Sequence, residues 1–590
     1  ANTGQNIANV NTEGYSRQRV NFETPEPPLL GVAVQNIQRI TDQFLVQQAW
    51  RDQSALSASE QQAKKIELLD KLMVSESTNL SSAMDDYFSA LQRAVDDPLF
   101  IANRQLFIAE AQTLVAGFQN FDQRLVEQQN AITIEARSMV TSVNTIASNI
   151  AQLNVKINAL ASSGQNYNPL VDERDRLTKD LSSFVSVDVL SSDGGITNNL
   201  TLASGEPLVT SGRAASLSVR DGSPDPLQVK VVLTRGNAEA DVSQLLGTGA
   251  LGGLFTYRDD VLQPTRNEVG RIAMVFADSM NDQHRKGMDL DGLVGGDLFN
   301  EVLRGQVYGQ ATNKTQGTNA AVTFYDVGAL TGSDYTVEIT GIDSFRVQRL
   351  TDGRIFESSN MGDLTTDSNV SNVGSFSREA SGTFNTLTLS LDGFNFTLKS
   401  SEIPQRGDRF LVQPTKNGAR DMSLAISNPE SLALASPLRV TPAPSNAGNV
   451  QLESIEVLDA SDLSALRPGK LDTPIEIVFN ALSQDAQGNS VQTFSVYNIK
   501  DPTNPSLIKG MESLNYVSGE PIVIKAGQND LYQITLINQP KAGDRFSVEY
   551  NTDGFSDNIN ALAMANLQQS KTANGFSYQD SYGQLLAKVG

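Results

Sequence analysis

Four groups of residues have types and spacings that could do chemistry. Gly247-Thr248-Gly249-Ala250-Leu251-Gly252 has the G-x-G-x-x-G form of a dinucleotide-binding turn, and Glu268 follows about 20 residues on, where a ribose-binding acid would stand. That turn needs a buried strand before it and a parallel βαβ series after it. Asp241 to Leu246 is a poor buried strand and no such series follows, so the segment reads as a turn and a helix start. Asp289-Leu290-Asp291-Gly292 opens like a calcium loop, but Val294 stands where the loop needs Gly and Asn300 where it needs a bidentate Glu. The chain has no Cys and one His, His284, which excludes thiolate chemistry and multi-His metal centres. His284 lies near the end of a predicted helix, where an imidazole commonly bonds a terminal carbonyl. Asp and Glu are scattered through the strand-rich part, and nothing marks out the pair that glycoside hydrolysis requires. No catalytic, cofactor-binding or metal-ligating residue is assigned, and no cofactor is expected.

These residues sit in a chain of 590, long enough for about four folded units at roughly 150 residues each. Lys and Arg number 45 against 67 Asp and Glu, a net charge of −22 that repels phosphate backbones and anionic lipid headgroups. Neither nucleic acid nor a membrane surface is an expected partner. No run approaches the roughly 18 consecutive apolar residues of a membrane span. A chain without Cys suits passage from a reducing to an oxidising compartment. The sequence opens on Ala1 inside a polar motif, so it is expected to be a trimmed piece of a longer chain.

The strongest periodicity runs from Phe107 to Leu160. Phe107, Ala111, Leu114, Phe118, Phe121 and Leu125, then Ile132, Ala136, Met139, Val143, Ile146, Ile150, Leu153, Ile157 and Leu160, recur in steps of three and four. Only Gln128 interrupts this seam, and the adjacent spacing reads as a stutter in a heptad pattern. With Pro98 near its start and Gly164 past its end, the pattern predicts one helix of about 60 residues, on the order of 90 Å long. A rod whose seam carries Phe107, Leu114, Phe118, Leu125, Ile146, Ile150, Leu153 and Ile157 needs partner helices. Thr41 to Met73 and Leu254 to Gln283 are candidates, and Asn560 to Gln569 and Tyr582 to Val589 are helical in pattern at the other end of the chain.

Between these helices the texture changes to short alternating runs. Val185 to Val189, Asp193-Gly194-Gly195, then Leu200 and Leu202 read as a hairpin. From about Ala321 to Tyr550 nearly every apolar run is of strand length, as in Tyr335 to Ile339 and Ile475 to Phe479. An internal echo lies here: Pro404-Gln405-Arg406-Gly407-Asp408-Arg409-Phe410 matches Pro540-Lys541-Ala542-Gly543-Asp544-Arg545-Phe546 as P-x-x-G-D-R-F. Each copy follows a strand and precedes a Leu/Ala run, Leu432 to Ala435 or Leu562 to Ala565. This predicts a duplicated β unit, with Ser436 to Val450 as the linker between copies. The expected fold class is multidomain α + β, a long-helix, coiled-coil-like bundle built from both chain ends with inserted antiparallel β domains. The expected divisions are an N-terminal motif and first helical part over 1–184, a small β-hairpin region over 185–245, a second helical part over 246–310, outer β domains over 311–440 and 450–550, and a third helical part over 555–590.

Near the start, Asn6, Ile7, Ala8, Asn9, Thr12, Gly14 and Tyr15 stand in the order N-I-A-N-x-x-T-x-G-Y. Asn, Thr and Gly can turn a chain after a helix through side-chain-to-backbone bonds and a permissive φ, and Tyr15 supplies an anchoring ring. The motif closely resembles the signature of bacterial flagellar rod, hook and hook-associated axial proteins. Three further stretches resemble one branch of that family, the first hook-associated proteins, which join hook to filament. They are Asp172-Glu173-Arg174-Asp175-Arg176-Leu177 leading into the Asp193 hairpin; Gly252-Gly253-Leu254 through Arg258-Asp259 to Asn281, His284, Gly287, Asp289 and Gly292; and Ser556-Asp557-Asn558 through Leu567-Gln568 to Tyr582-Gly583. The duplicated β unit and the lack of apolar heptads flanking the motif depart from the shorter members. The resemblance implies a secreted, extracellular structural adaptor that catalyses nothing. Its implied partners are lateral copies of itself, the hook protein, the third hook-associated protein, and an export chaperone that holds a C-terminal segment missing here. The rival reading is a secreted carbohydrate-active or adhesive surface protein.

Overall fold

The computed structural model describes residues 2–589 apart from 24–32, 76–78, 303, 316, 343, 359–361, 364, 367–373, 382–383, 459–465, 468, 485–489, 527–528 and 573–574. Its helices are α1 (Asn2–Ala8), α2 (Gln43–Val74), α3 (Leu80–Asp96), α4 (Ile101–Ser162), α5 (Asn168–Phe184), α6 (Ala250–Tyr257), α7 (Gln263–His284), α8 (Gly418–Asp421), α9 (Ile559–Asn566) and α10 (Tyr578–Val589). α4 is the long helix of the seam, 62 residues without a break. Among its seam residues, Phe107, Leu114, Phe118, Leu125, Ile150 and Ile157 are fully buried, Leu153 is nearly so, and Ile146 is half-buried. The sequence reading missed α3, which Asn79 starts by accepting the N–H groups of Ser81 and Ser82.

Both chain ends enter one helical body. Tyr87 and Phe88 of α3, Phe107 of α4, Phe276 of α7 and Tyr578 of α10 share an aromatic cluster, with ring centroids 4.9 Å apart for Tyr87 and Phe107 and 5.0 Å for Phe276 and Tyr578. Such pairs add about 0.5–1.5 kcal/mol each beyond their area burial. Where Gln128 interrupts the seam, the packing becomes polar. Gln128 accepts from the Tyr257 hydroxyl at 2.5 Å, and buried Gln129 accepts from Gln263 at 3.1 Å and donates to the Leu227 carbonyl at 3.1 Å. Facing this layer, Arg258–Leu262 forms a π-helical turn between α6 and α7. A break in one apolar stripe thus meets a widened turn in the next rod.

Two small antiparallel sheets lie against the C-terminal half of α4. One contains Val187–Ser192, Thr197–Leu202, Pro207–Thr210 and Arg213–Ala214, including the predicted hairpin; the other contains Ser216–Arg220, Lys230–Arg235 and Ala238–Asp241. Asn144 of α4 acts as an extra strand residue: its amide donates to the Leu217 carbonyl at 2.9 Å and accepts the Leu217 N–H at 2.8 Å.

The β unit is duplicated down to individual hydrogen bonds. The first sandwich has one sheet ordered Gln306–Gly309, Arg409–Gln413, Tyr335–Gly341, Ser344–Arg349, and a second containing Asn319–Phe324, Phe394–Ser400, Phe384–Leu391 in that order. The second sandwich repeats both orders with Leu438–Pro442, Arg545–Tyr550, Ile475–Phe479, Thr493–Asn498, and with Gln451–Val457, Asn529–Ile537, Pro521–Ala526. In the first copy Asp408 closes its turn by accepting the N–H groups of Gln405 and Lys314 at 3.0 and 2.7 Å; in the second Asp544 accepts those of Lys541 and Ala447, both at 2.8 Å. Asn313 and Arg409 exchange two bonds of 2.9 and 2.8 Å, as Asn446 and Arg545 do at 2.8 Å each.

Two expectations are corrected. Ser436 to Val450 is not a linker, because Leu438–Pro442 within it pairs with Arg545–Tyr550 and forms the edge of the second sandwich. The Leu/Ala runs also differ: Leu562 to Ala565 lies in α9, whereas Leu432 to Ala435 is extended and bonds to Met288 and Ala561 through its backbone. After Gln413 the chain returns to the helical body through α8. There α7 approaches so closely that a Cβ on Gly270 would lie 1.9 Å from the Thr415 carbonyl oxygen. A buried polar network fixes this docking: Asn267 donates to Asp334 at 2.7 Å, Gln413 to Asp334 at 2.7 Å, and Lys416 to both Asp225 at 2.7 Å and Gln413 at 3.0 Å.

Candidate assembly site

The N-terminal signature folds as a helix, a turn and a return strand. α1 ends at Ala8, and Asn6 draws the turn and the strand back onto it: its Oδ1 accepts the Tyr15 hydroxyl at 2.8 Å and the Gln18 N–H at 3.0 Å, while its Nδ2 donates to the Gln18 carbonyl at 2.9 Å. Thr12 donates to the Asn9 side chain at 3.2 Å. Gly14 has φ +82°, a conformation costly for any L side chain, and a Cβ there would lie 3.4 Å from the Arg176 side chain. The polar signature residues therefore fold the arm on itself. Its apolar members face outward instead: Ile7 is 70% exposed and Ala8 is exposed, with Val10 next to them at 74%. An apolar pair on a polar arm, left uncovered by the described residues, suits contact with another protein.

A second group of residues fastens the arm to the helical body. Arg39, at the end of Ala33–Arg39, donates through Nε to Asp172 at 2.9 Å and through Nη2 to Asp175 at 2.7 Å and to Ser16 at 3.0 Å. Asn168 adds a bond to the Ile37 carbonyl at 2.8 Å. The Asp172 to Arg176 motif thus has a physical reading. Its two aspartates hold Arg39, Arg176 lies over Gly14, and Arg174 points inward to the hairpin turn. Arg174 is 1% exposed and donates to the carbonyls of Gly195 and Ile196 at 2.7 and 2.8 Å and to Asn154 of α4 at 3.0 Å. Burial lowers its pKa to about 10, with Asp175 opposing and Arg39 adding to that shift. Sequence reasoning missed Arg39 and Asn154, which stand in no motif.

The residues first weighed for catalysis are placed elsewhere. Gly249, with φ +87°, caps the start of α6, and a Cβ on Gly253 would lie 2.2 Å from the Ala58 carbonyl oxygen of α2, so these glycines serve helix contact. Asp289 accepts the N–H groups of Asp291 and Leu293 at 2.9 and 2.8 Å, closing its own loop. His284 does not bond a terminal carbonyl of its helix. Its Nδ1 lies 2.7 Å from the Gly296 carbonyl and its Nε2 accepts the Ala433 N–H at 2.9 Å, tying two loops together. Complete burial lowers its pKa to about 4, against the Gly296 bond and Asp297, which favour the charged form. Among the described residues no group of three or more His, Asp or Glu is placed to hold a metal, and no helix is long and apolar enough to cross a membrane.

Known proteins place this architecture. Residues 66–299 match the family described as the flagellar hook-associated protein FlgK helical domain. Flagellar hook-associated protein 1 of Salmonella typhimurium is 32% identical over 449 residues, covering 74% of this chain and 76% of the relative. The Escherichia coli protein of the same name is 31% identical over 446 residues, covering 73% and 76%. The structure of the flagellar hook junction protein FlgK from Burkholderia pseudomallei superposes with a TM-score of 0.72 at 24% identity, covering 92% of this chain and 95% of that one, and so shares the fold. The carbohydrate-active or adhesive reading finds no support in these relatives. The chain belongs to the flagellar hook-associated protein 1 family and is a structural component of the flagellum.

Proposed function

We propose that this protein is the adaptor between flagellar hook and filament and that it works by self-assembly, catalysing no reaction. The observation that carries the reading is that both chain ends share one helical body. Tyr578 of α10 sits in the aromatic cluster of α3 and α7, and the Tyr582 hydroxyl donates to the Met73 carbonyl at the end of α2 at 3.1 Å. Tubular packing is then the task of the ends, with Asn6, Asn9, Thr12, Gly14 and Tyr15 shaping the arm and Ile7 and Ala8 meeting a neighbouring copy. The sandwiches, with hydrophobic clusters largely their own, are inserted between those ends and face outward.

In this reading the protein is exported to the extracellular flagellum, with a chaperone holding its C-terminal segment beforehand. It then contacts lateral copies, hook protein on the cell side and the third hook-associated protein on the filament side. A density map of isolated hook–filament junctions tests it: the helical body should line the inner layer and both sandwiches the outside. Filaments growing normally on hooks of a strain that lacks the protein would sink the proposal.

A further inference from the structure

A cleft of about 590 Å³ separates α7 from the first sandwich. Asp278 and Asp282 enter it from α7, Glu301 and Arg304 from the segment after α7, and Tyr325 and Asp326 from the sandwich. Its charge is poorly compensated. Arg285 is already engaged by Asp282 at 3.1 Å, Asp297 at 2.5 Å and Glu301, and Arg304, a cation of the lining, is exposed to solvent. Asp326 accepts only the Ala329 N–H, at 3.2 Å, among its described neighbours. Behind Asp278, the Tyr578 phenol of α10 is engaged with Ser279. Asp278 itself is half-buried and makes no hydrogen bond or ion pair among the described residues.

The position of this cleft along α7 gives it leverage. The buried network of Asn267, Asp334, Gln413 and Lys416 pins the sandwich near the start of α7. Asp278 lies 11 residues further on, roughly 16 Å along the helix. One end of the contact is fixed; towards the other, Met274 and Val327 still join α7 to the sandwich, and beside them the cleft opens between like charges.

We propose that this cleft is a proton-operated joint between the helical body and the first sandwich. With Asp278 ionised, carboxylates on three parts of the chain face one another and hold the walls apart. With Asp278 protonated, the repulsion falls, the neutral acid can donate to a facing carboxylate, and the sandwich tilts towards α7. Burial first and then the Asp282 carboxylate push Asp278 up to about 6, Arg285 opposing and Glu301 and Asp326 adding to the rise. The change therefore falls in an ordinary environmental pH range.

Hydrogen exchange of the full chain between about pH 7.5 and about pH 5, corrected for the intrinsic rate, tests the joint. Protection over Thr323 to Val327 should rise about tenfold on acidification, the factor for one unit of coupling. Asp278→Asn should show the protected level throughout, and Asp278→Ser repeats the test with a second neutral side chain. Asp326→Asn keeps an oxygen to accept the Ala329 N–H, so its fold is preserved, and its midpoint should fall below that of the parent. An unchanging parent, a neutral variant that titrates like the parent, or an unmoved midpoint in Asp326→Asn overturns the proposal.

Discussion

Arg266 of α7 donates to Asp122 of α4 from a buried position, at 2.6 Å through Nε and 3.2 Å through Nη2. The pair fixes the register of the two helices nearly two turns of α4 before the polar layer of Gln128 and Gln129. Asp122→Ala strands a buried guanidinium, so the helical body should lose about 3–5 kcal/mol. Replacing both partners with Leu and Met should cost far less, because no charge is left unpaired. Denaturant unfolding of the two variants measures the difference, and equal losses would show that the pair itself, rather than the stranded charge, sets the cost.

Arg39 should govern the N-terminal arm in the same way. Arg39→Ala removes bonds to Asp172, Asp175 and Ser16, and should loosen the arm by about 2 kcal/mol, the scale of hydrogen bonds to charged groups. Lys179→Ala breaks an exposed pair with Glu13 and should change stability by less than about 0.5 kcal/mol. Hydrogen exchange over Asn6 to Gln18 separates the two, since only the Arg39 variant should lose protection there.

Acid should act on the fold through His284. Its folded pKa, about 4, lies below the 6.5 of an unperturbed imidazole, so the fold holds the neutral ring. The stability this contributes is complete above pH 6.5 and drains away as pH falls through about 4, a loss of about 3 kcal/mol at most. Asp278 runs the other way. Raised from 3.8 to about 6, it costs the fold stability as pH rises through that interval. Thermal melts between about pH 4 and about pH 7 should therefore be made in the Asp278→Asn background. There Tm should fall monotonically on acidification, and His284→Gln should flatten the curve from a lower starting value. A slope unchanged by His284→Gln would assign the acid response to other groups.

How much of the fold was legible in the sequence depended on how often a pattern repeats. The α4 seam recurs over more than fifty residues, so one interruption at Gln128 could not hide it. The P-x-x-G-D-R-F echo was legible because Asp408 and Asp544 each need the same turn around them. Contacts made by single polar residues left no such trace. Asn144 and Asn154 look like ordinary polar positions on a helix, although each completes the hydrogen bonding of a strand. Leu438–Pro442 was hidden by the prolines in and beside it, which an edge strand tolerates because one side of its backbone needs no partner. The signature residues were recognisable as a set, but Arg39, which holds the arm in place, carries its meaning only through Asp172 and Asp175, more than 130 residues away.

The second sandwich should be removable as a unit. Its first and last strands are neighbours in one sheet, and the chain enters and leaves at one point, where the Asn551 N–H donates to the Pro437 carbonyl at 2.9 Å. A short Gly/Ser bridge in place of residues 438–550 can therefore close without displacing the helical body, since joining ends that already touch adds little loop entropy. The body does lose some cover, because Met288 and Ala435 belong to the apolar cluster of that sandwich. Exposing them should lower the Tm of the body by only a few degrees. A cut at Pro540 would do worse, leaving Arg545–Tyr550 without Leu438–Pro442 and Ile475–Phe479, both of which it pairs with. If the assembly contacts lie on the arm and the helical ends, a strain carrying the 438–550 deletion should still export the protein and grow filaments. A folded, exported deletion protein that leaves hooks bare would move an essential contact onto the second sandwich.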